Sequence, residues 1–237
     1  MNLEKKGNTF IIAIDGPAGS GKTTTARAVA RALGFTYVDT GAMYRAVALD
    51  ALKHGLSTDQ VEDICRRVAQ IRLDIQVEDG VQKTLLDGVD VEEEIRRPEM
   101  SGLASEISGI PCVREAMVRS QRAIGLKSRG AVLEGRDIGT VVFPDADLKI
   151  FMTADVDRRA ERRRNQLLEK GTTVDLDVLR KEIIERDERD SRRAMSPLKK
   201  AEDAVELDTT NLTIGEQVEF IVNLARKRMN EQREQTV

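Results

Sequence analysis

The chain has 237 residues, a formal net charge of -3, 40% hydrophobic and 33% charged residues, 3% aromatics and no Trp. That suits one domain of ordinary size with room for an insert, and it excludes a disordered or a collagen-like chain. The apolar runs fall far short of the roughly 20 residues needed to cross a bilayer, and Met1 to Asn8 is polar, so a soluble, cytoplasmic protein with no membrane partner is expected.

The first informative segment is Phe10 to Asp15, a short apolar run that stops at the glycine-rich stretch Gly16 to Gly21 and reads as a buried parallel strand. From Lys22, apolar residues at Ala26, Val29, Ala30 and Leu33 recur at helical spacing, and Gly34 supplies a stop. Further runs at Phe35 to Val38, Ala131 to Leu133, Leu148 to Met152 and Ala204 to Leu207 alternate with helical segments. Five such strands predict an α/β fold with a mainly parallel sheet covered on both faces.

Between 73 and 91 the rhythm changes to alternation: Leu73, Ile75, Val77, a turn at Asp79-Gly80, a return from Val81 to Leu86, a second turn at Asp87-Gly88, then Val89 and Val91. This predicts a small antiparallel meander. Pro98 can start a helix to Ser108, and Pro111 another to about Lys127. Helices over 157–170 and 175–191 carry many arginines; a last helix shows Ile214, Val218, Ile221, Val222 and Ala225 on one stripe, with a charged end from Arg226 expected to fray. Cys65 and Cys112 lack a metal-ligand spacing and read as free thiols in a reducing cytosol.

Gly16-Pro17-Ala18-Gly19-Ser20-Gly21-Lys22-Thr23 fits G-x-x-x-x-G-K-[ST] at every fixed position. Chance produces the bare pattern on the order of once in a hundred chains of this length, and here strand and helix flank it correctly. Backbone N–H groups of Gly16 and of Ala18 to Gly21, in the turn that Pro17 stiffens and with Thr24 beside them, would surround phosphate oxygens at a helix N-terminus. Lys22 brings a mobile charge to the β and γ phosphates, and the Thr23 hydroxyl faces a bridging Mg²⁺. ATP with Mg²⁺ is the implied ligand.

No N-K-x-D guanine-reading element is present, nor an apolar strand ending in Asp-Glu. Arginines stand instead at Arg45, Arg114, Arg136, Arg162 to Arg164, Arg186, Arg189, Arg192 and Arg193. Arg45 and Arg136 follow strands, in the crevice at the carboxyl ends of strands where ligands bind in open parallel folds, and so describe a second phosphate site. Arg189 and Arg192 sit among acidic neighbours and also read as a solvated helix face. His54 reads as an ordinary residue near a helix end.

The segments Ile14 to Lys22, Asp39-Thr40-Gly41-Ala42-Met43-Tyr44-Arg45, Glu134 to Pro144 and Glu185 to Asp190 resemble bacterial cytidylate kinases, within the P-loop nucleoside monophosphate kinases. The resemblance implies a three-layer P-loop fold with a five-stranded parallel sheet, a small antiparallel insert and a helical lid. It divides one kinase domain into a core (1–40, 128–156, 194–237), a monophosphate-binding region at 41–127 with an insert at about 68–108, a lid at about 157–171 and a substrate-contacting helix at 175–193. It places Thr40, Arg45, Arg136 and Arg193 at the acceptor phosphate. Ser105, Arg114 and Asp137 fall at cytosine, Arg186 and Asp190 at ribose, and the lid's Arg162 and Arg163 across the transferred group.

Thr40 stands where some members have Ser, and Glu134 where others have Asp, which leaves open whether Glu134 helps hold Mg²⁺ through water. Cytosine's N4 donor beside N3 and O2 acceptors suits a carboxylate with an arginine, so CMP and dCMP are the expected acceptors ahead of UMP. Asp137 also reads as a structural partner of a neighbouring arginine. The expected protein is a monomeric (d)CMP kinase without nucleic-acid partners. A kinase for another small acceptor and a nucleotide-dependent nucleic-acid-binding switch are the alternatives, the latter opposed by net acidity and few stacking aromatics.

Overall fold

The computed structural model describes residues 9–78, 81–169 and 171–234. The apolar run at the start is strand β1, Phe10–Asp15, buried along its whole length. It lies at the centre of a parallel sheet. The other strands are β2 (Thr36–Asp39), β6 (Gly130–Gly135), β7 (Leu148–Thr153) and β8 (Val205–Asp208), in the order β2-β6-β1-β7-β8. Alternate side chains of β1 enter opposite layers. Ile11 and Ala13 pack with the layer of α2 (Thr40–Lys53), α4 (Met100–Ile107) and α5 (Pro111–Gly125). Phe10, Ile12 and Ile14 pack with α1 (Lys22–Leu33) and α8 (Ile214–Glu234).

The order reverses beside β1, because the chain goes out to β2, returns to β6 and then continues to β7 and β8 on the other side. A crevice therefore opens at the carboxyl end of β1. The turn that enters it is possible only with glycine: a Cβ on Gly16, at φ +149°, would lie 2.1 Å from the Met152 carbonyl oxygen of neighbouring β7.

The meander forms a separate sheet of β3 (Leu73–Glu78), β4 (Val81–Leu86) and β5 (Val89–Asp90), antiparallel throughout. Its first expected turn, Asp79-Gly80, lies outside the described residues. The second is at Asp87 and Gly88, with φ of 52° and 85°, the pair of positive values that a two-residue hairpin turn of matching twist requires. A short 3₁₀ turn, Glu94–Arg96, follows the insert. The helix expected from Pro98 begins at Met100, after a turn at Pro98-Glu99.

Two expectations fail. Cys65, in α3 (Val61–Val68), and Cys112, in α5, form a disulfide across a sequence separation of 47 residues. The packing of α3 on α5 brings their Cα atoms to 5.7 Å, and nothing in the spacing of the two residues reveals that packing. The C-terminal segment is helical to Glu234 rather than frayed from Arg226; Met229 rests on the core and Gln232 donates to Asp147 at 2.7 Å. The stripe on α8 starts at Gln217, which is fully buried, while Ile214 is 39% exposed and faces the cleft.

Helices α6 (Val156–Leu168) and α7 (Leu176–Arg192) hold each other through a small core of Ala160, Leu167, Leu179 and Ile183, apart from the two main clusters. Among the described residues no helix is long and apolar enough to cross a membrane.

Candidate functional site

A cavity of about 710 Å³ lies at the carboxyl ends of β1, β2 and β6, roofed by α6 and α7. Its floor is the glycine loop. Ala18, Gly19, Gly21, Lys22, Thr23 and Thr24 line it, whereas Gly16, Pro17 and Ser20 form the turn behind. Lys22 Nζ donates to the Pro17 carbonyl at 2.6 Å and to Ser20 Oγ at 3.3 Å. Burial, with Arg136 nearby, lowers the pKa of the Lys22 ammonium well below its ordinary value.

Thr23 Oγ1 donates to Glu134 Oε2 at 3.0 Å, and the Tyr37 hydroxyl donates to Glu134 Oε1. Glu134 is buried; desolvation and the Asp39 charge push its carboxyl upward. A threonine hydroxyl and a carboxylate side by side next to the phosphate loop are hard oxygen donors that fit Mg²⁺, an ion that takes one or two protein oxygens and completes its shell with phosphate and water. Among the described residues there is no cluster of three or more His, Cys, Asp or Glu side chains able to cage a metal by itself.

The opposite wall is basic. Arg45 sits one and a half turns into α2, its Nη2 on Asp39 Oδ2 at 3.0 Å and its Nε buried without a hydrogen-bond partner. Gly41 makes room for that arrangement, since a Cβ there would lie 3.2 Å from Arg45 Nη1 and 3.1 Å from Asp39 Oδ1. Arg136 donates through Nε to Asp190 at 2.9 Å. Arg186 Nε and Arg193 Nη2 are also buried without hydrogen-bond partners. Burial and the neighbouring Arg136 bring Arg186 down to about 10, and burial lowers Arg193 as well. Guanidinium groups crowded at this density with unused N–H groups make an anion site.

Farther along, Arg114 is 2% exposed, pairs with Asp137 and donates to the Ser108 carbonyl at 3.0 Å. Its guanidinium lies 5.4 Å over the Tyr44 ring, and Ser105 lines the same end of the cavity. Thr40 is buried, its hydroxyl donating to the Glu134 carbonyl at 2.6 Å. The fold thus brings Thr40, Arg45, Ser105, Arg114, Arg136, Asp137, Arg186, Asp190 and Arg193 to one cavity. Arg189, expected among acidic neighbours, reaches Ser105 Oγ at 3.4 Å, while Arg192 stays on the surface with Glu188.

The two α6 arginines differ. Arg162 lines the cavity and is held on Thr209, with Nη2 2.6 Å from its carbonyl and Nη1 3.1 Å from its hydroxyl. Arg163 instead faces an adjoining space of about 370 Å³ with Ala18, Gly19, Ser105 and Arg186. Sequence reasoning passed over Asp39, which lines the cavity beside Arg45, and Tyr37 and Arg96, which hold site residues from behind. Asp39 opens a quoted motif, but one partner of its carboxylate, Arg96, comes from the turn after the insert, and no local pattern shows it.

A strand, a glycine loop and a helix on one wall, with guanidinium groups that keep unpartnered N–H groups facing them across a cleft in a parallel sheet, define a P-loop kinase. A cytidylate kinase family model matches residues 12–227. The cytidylate kinase of Streptococcus pneumoniae is 50% identical over 222 residues, covering 93% of this chain and 99% of that one. That of Streptococcus gordonii is 48% identical over 217 residues, covering 91% and 96%. A bifunctional pantoate ligase/cytidylate kinase of a Synechococcus strain is 47% identical over 226 residues, which cover 94% of this chain and 42% of that one. The chain belongs to the cytidylate kinase family.

Proposed function

We propose that this chain transfers the γ-phosphoryl group of ATP to a phosphate oxygen of CMP or dCMP, giving ADP and the corresponding diphosphate. The observation that carries the reading is the single cavity with a phosphate loop on one wall and, on the other, unpartnered guanidinium N–H groups of Arg45 and Arg186 leading to the Arg114–Asp137 pair. A phosphate monoester is largely ionised at neutral pH, so its oxygen attacks without a general base. The new P–O bond forms as the bond from the γ-phosphorus to the β,γ-bridging oxygen breaks, and ADP leaves. Catalysis then rests on alignment and on charge placed where the transition state needs it.

In this scheme Lys22 and the loop N–H groups hold the donor, while Arg45, Arg136 and Arg193 hold the acceptor phosphate. Arg186 and Asp190 face the sugar, and Ser105, Arg114 and Asp137 face the base. Thr23, with Glu134, would hold Mg²⁺, which when bound neutralises the β and γ oxygens. Residues 157–171 act as a lid that excludes water, over an acceptor region at 41–127. A monomer is sufficient for the chemistry, and a cytoplasmic setting supplies both substrates.

The test is ADP release with ATP and Mg²⁺ against CMP, dCMP, UMP, AMP and GMP at equal concentration. Turnover confined to the two cytidine nucleotides is expected; turnover only with another acceptor would overturn the base site, and no turnover with any of them would overturn the kinase reading.

A further inference from the structure

Asp39, at the carboxyl end of β2, is 4% exposed and has more partners than its motif suggests. Oδ1 accepts the Ala42 N–H at 2.9 Å and so caps α2. Oδ2 is shared by two guanidinium groups, Arg45 Nη2 at 3.0 Å and Arg96 Nη2 at 3.2 Å. Burial alone would push this carboxyl up, yet Arg45 and Arg96 hold it below its ordinary value, so it is an anion.

Arg45 and Asp39 line the cavity, and Arg96 does not. Arg96 comes from the turn after the insert. Its Nε lies 2.8 Å from Glu92 Oε1, and Thr84 of β4 donates to Glu92 Oε2 at 2.9 Å. From the same strand, Gln82 Oε1 accepts the Asp39 backbone N–H at 3.0 Å. The antiparallel insert therefore grips the carboxylate that grips Arg45.

A phosphate entering the cavity and Asp39 compete for the same guanidinium. If Asp39 had Arg45 as its only cation, drawing Arg45 onto a phosphate would leave a buried carboxylate uncompensated, a costly state. A second guanidinium on the same oxygen removes that cost and cancels the carboxylate's repulsion of the incoming dianion. We propose that Arg96 is a positioning residue for the acceptor phosphate, acting through Asp39 to leave Arg45 available, so that the insert helps to set acceptor affinity. This rests on the reading of Arg45 given under Proposed function. Arg96 touches no substrate.

The test compares binding of CMP with that of cytidine, which has the same base and sugar but no phosphate, by titration calorimetry and competition. Arg96→Ala should weaken CMP about tenfold, the scale of one unit charge roughly 8 Å away at an effective dielectric of about 20 once solvent screening is allowed for. Cytidine binding and the KM for ATP should stay within twofold, and Arg96→Lys should restore most of the CMP affinity. In an Asp39→Asn background, which keeps the helix cap, Arg96→Ala should change CMP binding by less than twofold. Equal losses for CMP and cytidine, or an undiminished loss in the Asp39→Asn background, would reduce Arg96 to a general structural role and overturn the inference. CMP affinity untouched by Arg96→Ala would overturn it alone, whereas an unaltered chain that binds no CMP, or Arg45→Ala binding CMP normally, would remove the underlying reading as well.

Discussion

In the proposed scheme Asp137 faces the base, and its geometry says how a change there will read out. It is 4% exposed and paired with Arg114, itself held by the Ser108 carbonyl. A carboxylate accepts from cytosine N4, while uracil O4 brings a second acceptor to the same place. Asp137→Asn, whose amide can both donate and accept, should narrow the CMP-over-UMP ratio in kcat/KM by about 1 to 3 kcal/mol, roughly five- to 150-fold. Steady-state kinetics with both nucleotides checks it; an unchanged ratio would leave Asp137 as a partner of Arg114 only. Asp15 is a second buried carboxylate with a different task. It accepts the Ile138 and Gly139 N–H groups at 2.8 and 2.7 Å and so ties the end of β1 to the π-helical turn Ile138–Val142, yet burial raises it from 3.8 to about 6. Because the folded chain holds this proton more tightly than the unfolded one, its contribution to stability is complete below pH 3.8 and is lost as pH rises to about 6. That loss is about 3 kcal/mol at about 1.4 kcal/mol per pH unit. Asp15→Asn should flatten that part of the pH dependence, measured by denaturant unfolding between pH 4 and 7, and should cost about 1 to 3 kcal/mol at low pH because an amide oxygen cannot serve both N–H groups equally.

At the scale of elements, the α6–α7 pair stands apart from the two main cores. Their shared core has four buried side chains, and α6 reaches the rest of the molecule largely through hydrogen bonds such as Arg159 to the Ala18 carbonyl at 3.0 Å and Arg162 to Thr209. Such a unit opens at lower free energy than the sheet and suits a lid. A lid arginine that moves onto the transferred group should be worth about 10³ in turnover, as arginine fingers are. Single-turnover rates of Arg162→Ala and Arg163→Ala measure this; full rates in both would end the lid's catalytic part. The disulfide belongs to the opposite end of the scale, since it fastens α3 to α5 covalently. Closing a loop of 47 residues stabilises by about 4 kcal/mol in the chain-entropy account. Paired Cys65→Ser and Cys112→Ser substitutions should lower the denaturation midpoint accordingly, with treatment of the unaltered chain by a dithiol giving the same shift. If both leave the midpoint in place, the bond contributes nothing to stability. Neither cysteine's helical setting discloses the other, because β3 to β5 and α4 separate α3 from α5 in the sequence and only the tertiary packing brings the two helices together. The meander, by contrast, is readable in the sequence since period-two alternation and Asp-Gly turns are local signals.

Across the whole molecule the same division between local and assembled information recurs. The glycine loop is legible because its function depends on consecutive residues, and β1 is read from Phe10 to Asp15 because a strand buried on both faces leaves an unbroken apolar run. The Asp39–Arg96 and Tyr37–Glu134 contacts depend on the register of β2 against β6 and on where the insert docks, which no single stretch encodes. The charge balance shows the same contrast: the chain is net acidic at -3, while its cleft gathers guanidinium groups close enough that Arg136, Arg45 and Arg163 each help lower Arg186. The fold therefore bears a repulsion that a bound phosphate would relieve, and ligand binding should stabilise it well beyond what base and sugar contacts contribute. At a hundred times its Kd a ligand adds about 2.7 kcal/mol. For a chain of this size each kcal/mol raises Tm by about 2 to 4 °C, so CMP or MgADP at that excess should each raise it by about 5 to 10 °C. Cytidine and adenosine at the same concentrations should give no more than a degree or two, and raising the salt should shrink the nucleotide shifts selectively by screening the guanidinium cluster. Calorimetric melting of the four mixtures decides the matter: equal shifts with and without phosphate would mean that the buried arginines are balanced internally and that the cleft's cations are structural.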